Sequence, residues 1–137
     1  PDLLVLLQPT HPLRNPSDIE HALLDMKEDV QADSLFTVVK TDGLRGTIEG
    51  GRYKPEFALP RNKSAEPDLY RNTGSFYIFR VNTTLDQGSF FGQNIRPYIL
   101  KRPEFEIDID EASDMAQARA MLESHADEFS ALKVSGN

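Results

Sequence analysis

Two aspartates, Asp108 and Asp110, stand in the run Glu106-Ile107-Asp108-Ile109-Asp110-Glu111. Alternation of acid and isoleucine predicts a strand, with isoleucines toward a core and carboxylates on the other face. Side chains two apart on a strand lie roughly 6–7 Å apart, within reach of one ion. Mg²⁺ is usually held by one or two carboxylates, several waters and the phosphates of a substrate. The pair therefore points to magnesium-assisted nucleotide chemistry. The competing reading is a solvated acidic strand end in which Asp110 caps the following helix.

A second group, Gln8, Thr10 and Arg14, follows the apolar run Leu3-Leu4-Val5-Leu6-Leu7. In open α/β sheets, ligands bind outside the carboxyl ends of the strands. Gln offers a donor and an acceptor to a base or sugar, Thr a hydroxyl, and Arg a fork for phosphate or carboxylate. The alternative is a rigid proline-rich turn whose polar groups satisfy backbone. His11 is a candidate base, but no acid or nucleophile neighbours it in sequence. His21 and His125 are expected to face solvent. Arg45, Arg61, Lys63 and Arg71 cluster in an acidic chain and would suit an acidic sugar or a phosphate, or else form a solvated loop face. Phe90 and Phe91 are read either as an exposed contact patch or as core anchors. No zinc-ligand spacing, nucleophile elbow, Walker loop or Gly-x-Gly-x-x-Gly is present.

These residues need elements to position them. The Leu3–Leu7 run predicts a strand buried on both faces of a parallel sheet. A buried strand with nothing before it predicts that an N-terminal part of the protein precedes this chain. Three prolines within residues 9–16 predict an ordered loop. Ser17, with Glu20 three residues on, predicts a capping box. Ile19, Ala22, Leu23, Met26 and Val30 then form a helical stripe. Leu35 to Val39 predicts a second strand, so the order is βαβ. Thr47 to Lys54 predicts a hairpin about Gly50-Gly51, and residues 58–73 read as polar and irregular. Gly74 to Phe79 predicts a core strand, 82–94 a loop, and Ile95 to Leu100 an edge strand containing Pro97. Met115, Ala118, Met121 and Leu122 mark a final helix over 112–128, with a frayed tail. The expectation is one α/β domain over 1–137 with an insertion at 41–73.

Composition narrows the function classes. The chain has 137 residues, 39% of them hydrophobic, enough for one domain with a core. A net charge of −7 argues against nucleic acid and against anionic membranes as partners. Absence of cysteine excludes disulfides, thiolate metal sites and Cys nucleophiles. Two glycosylation sequons, at Asn62 and Asn82, stand without other signs of secretion. The apolar run at the start is too short for a signal peptide or a membrane span. The expectation is a cytoplasmic protein.

Taken together, Leu-Leu-Gln-Pro-Thr-His-Pro-Leu-Arg (6–14), Thr-Gly-Ser-Phe-Tyr-Ile (73–78), Phe-Phe-Gly (90–92), Tyr98 and Ile-Asp-Ile-Asp (107–110) resemble the acylneuraminate cytidylyltransferases, the CMP-sialic acid synthetases. The resemblance runs from residue 3 to about 125 and corresponds to the family's C-terminal two-thirds. It implies a Rossmann-like nucleotidyltransferase fold with a largely parallel sheet and a hairpin used for dimerisation. It implies that Gln8, Thr10 and Arg14 line the nucleotide and sugar pocket, and that Arg61, Arg71 and Tyr77 face the acidic sugar. Phe90 and Phe91 would build the pocket of a neighbouring subunit, and Asp108 and Asp110 would hold Mg²⁺ on CTP. The implied reaction joins a nine-carbon acidic sugar to CMP with release of pyrophosphate. The family usually has Ser where His11 stands and often Asn where Thr73 stands. Its N-terminal glycine-rich, basic phosphate loop has no counterpart here, so the fragment is expected to be inactive alone. Two alternatives remain open: activation of 3-deoxy-octulosonate, and a non-catalytic sugar-binding or dimerisation domain.

Overall fold

A computed structural model describes residues 2–41, 46–56 and 68–130. The elements are β1 (Leu3–Leu7), α1 (Pro16–Glu28), β2 (Ser34–Thr41), β3 (Gly46–Glu49), β4 (Arg52–Pro55), β5 (Leu69–Arg80), β6 (Ile95–Ile99), α2 (Ala112–Ser124) and α3 (Ala126–Ser130). The chain divides into two compact units, one from Pro1–Val39 and Asn72–Asn137, the other from Lys40–Arg71.

The first unit is built on a four-stranded sheet in the order β1-β5-β2-β6. β2 pairs with β6 in parallel, whereas β1 pairs antiparallel to β5, Leu7 opposite Phe76. Arg80 N donates to Asp33 O at the start of β2, and the Thr37 hydroxyl further along donates to Phe76 O. β5 therefore runs against β2 as well. Three strands share one direction and β5 is reversed, which brings its first half to the carboxyl ends of β1 and β2.

The two faces of this sheet differ because side chains alternate. Leu35, Val39, Phe76 and Ile78 are buried with Ala22 and Met26 of α1, Ala32, Tyr98 and Leu100, and Leu3, Val5, Ile19 and Leu23 pack against them. The intervening residues Phe36, Tyr77 and Phe79 line the other face. The α1 end of the core is fastened by Arg80, whose guanidinium donates to Met26 O at 2.8 Å and Ala32 O at 3.1 Å. A cation at those last carbonyls complements the helix dipole.

Several sequence expectations change in the structure. β1 stands at one end of the strand order, and Leu4, Leu6 and Leu7 are exposed, so burial on both faces is not found. Its inward face alone meets α1 and the core. The cap of α1 is Asn15, whose side chain accepts from Ser17 N, and Pro16 takes the first helical position. That arrangement suits proline, which lacks the N–H that the first turn leaves unpaired. Val30 falls beyond the helix end and is 75% exposed. β5 begins at Leu69, earlier than the irregular 58–73 stretch allowed. The final helix is broken at His125, which ends α2 and lies edge-on to Phe105 at 5.2 Å instead of facing solvent freely. Residues 106–109 form no regular element and Asp110 lies in a bend, so the expected strand is not found. The frayed tail beyond 130 lies outside the described residues.

The second unit contains the hairpin β3–β4, with Ile48 opposite Tyr53 and Glu49 opposite Arg52. Gly50 and Gly51 have φ of +57° and +71°, the left-handed pair that a two-residue turn of this twist requires. Ile48 and Tyr53 are 78% and 54% exposed. Lys54 pairs with Glu49. No helix among the described residues is long and apolar enough to cross a membrane.

Candidate active site

The loop after β1 and the kinked start of β5 meet at Gly74. Its φ of +75° turns the strand sharply. The kink satisfies its own backbone through side chains: Gly74 N donates to Asn72 Oδ1 at 3.1 Å, and Ser75 N to Thr73 Oγ1 at 3.2 Å. Thr73 in turn shares a 2.7 Å hydrogen bond with Thr37 of β2. The positive φ favours glycine at position 74, and a Cβ there would also press on the Gln8 side chain, 2.9 Å from its Oε1, and lie 3.4 Å from the Tyr77 hydroxyl. The kink therefore lets Gln8 and Tyr77 present polar atoms over bare backbone. Asn72 Nδ2 donates to the Tyr77 hydroxyl at 3.0 Å, fixing its direction.

The acidic segment is drawn to the same place. Ile109 N donates to Thr10 O at 2.9 Å, so one backbone bond between the two aspartates pins them beside the β1 loop. Asp108 Oδ1 lies 3.6 Å from Nδ1 of His11. The acid partner that His11 lacked in sequence thus arrives from the far end of the chain. His11 is buried, with 5% of its side chain exposed, whereas the Asp108 side chain is 51% exposed. Asp110 is exposed and opens onto a shallow groove with Met115 and Arg119.

The capping alternative for Asp110 is not what the structure uses. Glu111 is the N-cap of α2, and its capping box is completed by Asp114. Asp114 Oδ2 also accepts from Asp110 N at 3.0 Å. The Asp110 carboxylate is thereby left out of the cap. No group of three or more His, Asp or Glu suited to a metal occurs among the described residues. Two exposed carboxylates on a pinned segment fit an ion of the Mg²⁺ type, which takes few protein ligands and completes its shell with water and phosphate.

Arg14 packs between the β1 loop and β5. Its Nε donates to Ser75 O at 2.9 Å, and Nη2 is buried without a hydrogen-bond partner. Burial pushes the guanidinium pKa down, and the neighbouring charge of Glu106 acts against that. It lines a narrow cavity with Ser75 and Glu106. Arg14 ties the β1 loop to β5. Arg71 is exposed and belongs to the second unit. Arg45, Arg61 and Lys63 lie outside the described residues.

Phe90 and Phe91 are 57% and 63% exposed, yet each contacts an aromatic ring of the sheet. Phe91 meets Phe36 edge-on at 5.5 Å, and Phe90 meets Phe79 at 6.0 Å. Phe36 touches Tyr77 at 5.0 Å, so the aromatic row leads back to the site. The loop is held by Asp33, whose carboxylate accepts from Gln93 N at 2.7 Å, Asn94 N at 2.9 Å and the Ser34 hydroxyl at 2.9 Å. Burial pushes the Asp33 pKa up, but these hydrogen bonds outweigh it and hold the carboxyl below its usual range. Sequence reasoning singled out neither Asn72 nor Asp33. The Asn-Thr-Gly-Ser run carried a turn signal for the former, whereas Asp33 left no local mark.

The chain is 31% identical over 128 residues to the CMP-N,N'-diacetyllegionaminic acid synthase of Legionella pneumophila subsp. pneumophila (strain Philadelphia 1), a match covering 89% of this chain and 54% of that protein. The chain thus spans about half the length of the curated relative it matches. In fold it is similar to a CMP-2-keto-3-deoxy-manno-octonic acid synthetase solved with CTP, at a TM-score of 0.63 and 15% identity, covering 90% of this chain and 62% of that one. No family model matches. The chain is therefore related, over most of its own length, to part of a CMP–acidic sugar synthase.

Proposed function

We propose that this sequence forms the sugar-pocket and cation-carboxylate part of a CTP-dependent cytidylyltransferase that activates a nine-carbon acidic sugar of the sialic acid kind. The observation that carries the reading is that Gln8, His11 and Tyr77 meet at Gly74 while Asp108 faces His11 and Ile109 bonds Thr10, although about 100 positions separate Gln8 from Asp108. Similarity to a CMP-N,N'-diacetyllegionaminic acid synthase supports the substrate class.

Gln8 and Thr10 are assigned to the polar edge of the base or sugar, and Tyr77 to a sugar oxygen. Arg61 and Arg71 are assigned to the sugar carboxylate, whose planar charge suits a guanidinium fork. Arg14 anchors the loop that carries Gln8 and Thr10. Mg²⁺ held by Asp108 and Asp110 would neutralise the triphosphate and favour in-line geometry. In the reaction, the anomeric hydroxyl attacks the α-phosphorus of CTP. The new P–O bond forms as the α–β bridging P–O bond breaks. Pyrophosphate leaves with that electron pair, and the hydroxyl proton passes to water. A homodimer in which the hairpin and Phe90-Phe91 meet a second copy, and a cytoplasmic location, complete the proposal.

The test is pyrophosphate release by the full-length protein, supplied with CTP, Mg²⁺ and a panel of acidic sugars. Turnover near 1 s⁻¹ or faster with a nine-carbon acid supports the reading. Preference for the eight-carbon 3-deoxy-octulosonate would move it to the neighbouring synthetase class. Sugar binding without pyrophosphate release would identify a non-catalytic domain.

A further inference from the structure

We propose that His11 is a positioning residue that orients the Asp108 carboxylate for cation binding. This rests on the reading of Asp108 as a cation ligand. Three observations converge. The ring is buried and its backbone is fixed, His11 N donating to Gln8 O at 3.3 Å. Its Nδ1 faces both Asp108 Oδ1 at 3.6 Å and Thr10 Oγ1 at 3.5 Å. The backbone bond from Ile109 to Thr10 joins the residue after Asp108 to the residue before His11, so the pairing is set by main chain and does not depend on two loose side chains.

The physical consequence concerns Asp108 alone. An aspartate this exposed samples several rotamers, and binding an ion must freeze one of them. With the proton on Nδ1, a buried ring nitrogen at a fixed place favours the Asp108 rotamer turned toward it, and closure from 3.6 Å makes the hydrogen bond. The oxygen not facing His11 is then presented outward. Hydrogen-bonded partners of metal ligands typically change metal affinity by about 10- to 100-fold when removed.

The experiment is a Mn²⁺ titration of the full chain, read by water-proton relaxation and therefore independent of catalysis. Wild type is compared with Asp108→Asn, His11→Leu, His11→Asn and His11→Gln. Asn keeps an N–H near the place of Nδ1, whereas Leu removes it and Gln carries it too far out. Melting curves check folding for each. The proposal predicts about 10-fold weaker binding for His11→Leu and His11→Gln, recovery to within about 3-fold for His11→Asn, and little change in melting. If His11→Leu does not fold, His11→Gln decides. Wild-type affinity in the folded Leu or Gln variant, with binding lost in Asp108→Asn, overturns the positioning role alone. Unchanged binding in Asp108→Asn, or no uptake by wild type at millimolar Mn²⁺, overturns the cation reading and this proposal with it.

Discussion

The Asp33 carboxylate occupies the space that a side chain on Gly92 would need: a Cβ there would fall 1.7 Å from Oδ1. Glycine is required at this point for room. Asp33 cannot easily step aside, because two backbone N–H groups and a hydroxyl hold it. This contact joins the α1–β2 turn to the loop carrying Phe90 and Phe91.

Gly92→Ala is therefore expected to destabilise the fold by about 1–3 kcal/mol, with the loop displaced. On an Asp33→Ala background the same change should cost much less, because the clash is gone. A double-mutant cycle by denaturant unfolding measures the difference. Additive losses would show that the loop is not latched through Asp33.

Asp33 also carries a pH signature. Its pKa is lowered on folding from an ordinary 3.8, so its contribution is present above that value and lost as pH falls through the lowered one. Asp33→Asn replaces an acceptor with a group that partly donates toward Gln93 N and Asn94 N. The variant should lose stability at neutral pH and show a flatter stability profile below about pH 3.8 than wild type. Parallel profiles for the two proteins would contradict this.

The legible part of the fold was the part written in local pattern. Leu35 to Val39, the Gly50-Gly51 hairpin and the Ala22–Met26 stripe follow from periodicity and turn chemistry. The α1 cap was misplaced because Asn15-Pro16 and Ser17 offer two start signals, and proline at the first helical position decides between them. The acidic run alternates like a strand, yet it makes no strand, since pairing depends on a neighbouring edge that local sequence does not reveal. Gln8, Tyr77 and Asp108 were named from motifs. The pairing of His11 with Asp108 and the latch at Asp33 depend on contacts across more than fifty residues, and no spacing rule reports those.

Tyr77→Phe should leave the fold intact, because the ring contacts with Phe36 and Phe79 do not involve the hydroxyl. On the proposed assignment of Tyr77 to a sugar oxygen, loss of the hydroxyl that Asn72 directs removes one polar contact. The expected effect in the full-length protein is about a 5-fold rise in KM for the sugar, with KM for CTP unchanged. An equal rise for CTP would place Tyr77 elsewhere.

The hairpin prediction concerns assembly. Ile48 and Tyr53 form an exposed cross-strand pair, and an isolated two-stranded hairpin is marginal in water. Ile48→Lys with Tyr53→Lys should convert a dimer to folded monomers in sedimentation at micromolar concentration. A wild-type protein that already sediments as a monomer would remove the dimer from the account.

The account turns on Asp108 and Asp110 as the carboxylates of a cytidylyl transfer. The decisive measurement is turnover of the full-length protein as a function of Mg²⁺, compared with Asp108→Asn and Asp110→Asn. Both positions are exposed, so the near-isosteric changes should leave melting unchanged. The account predicts a fall in turnover on the order of 100-fold or more in each variant, with the Mg²⁺ requirement moved to higher concentration. Wild-type turnover with unaltered Mg²⁺ dependence in both variants would contradict it.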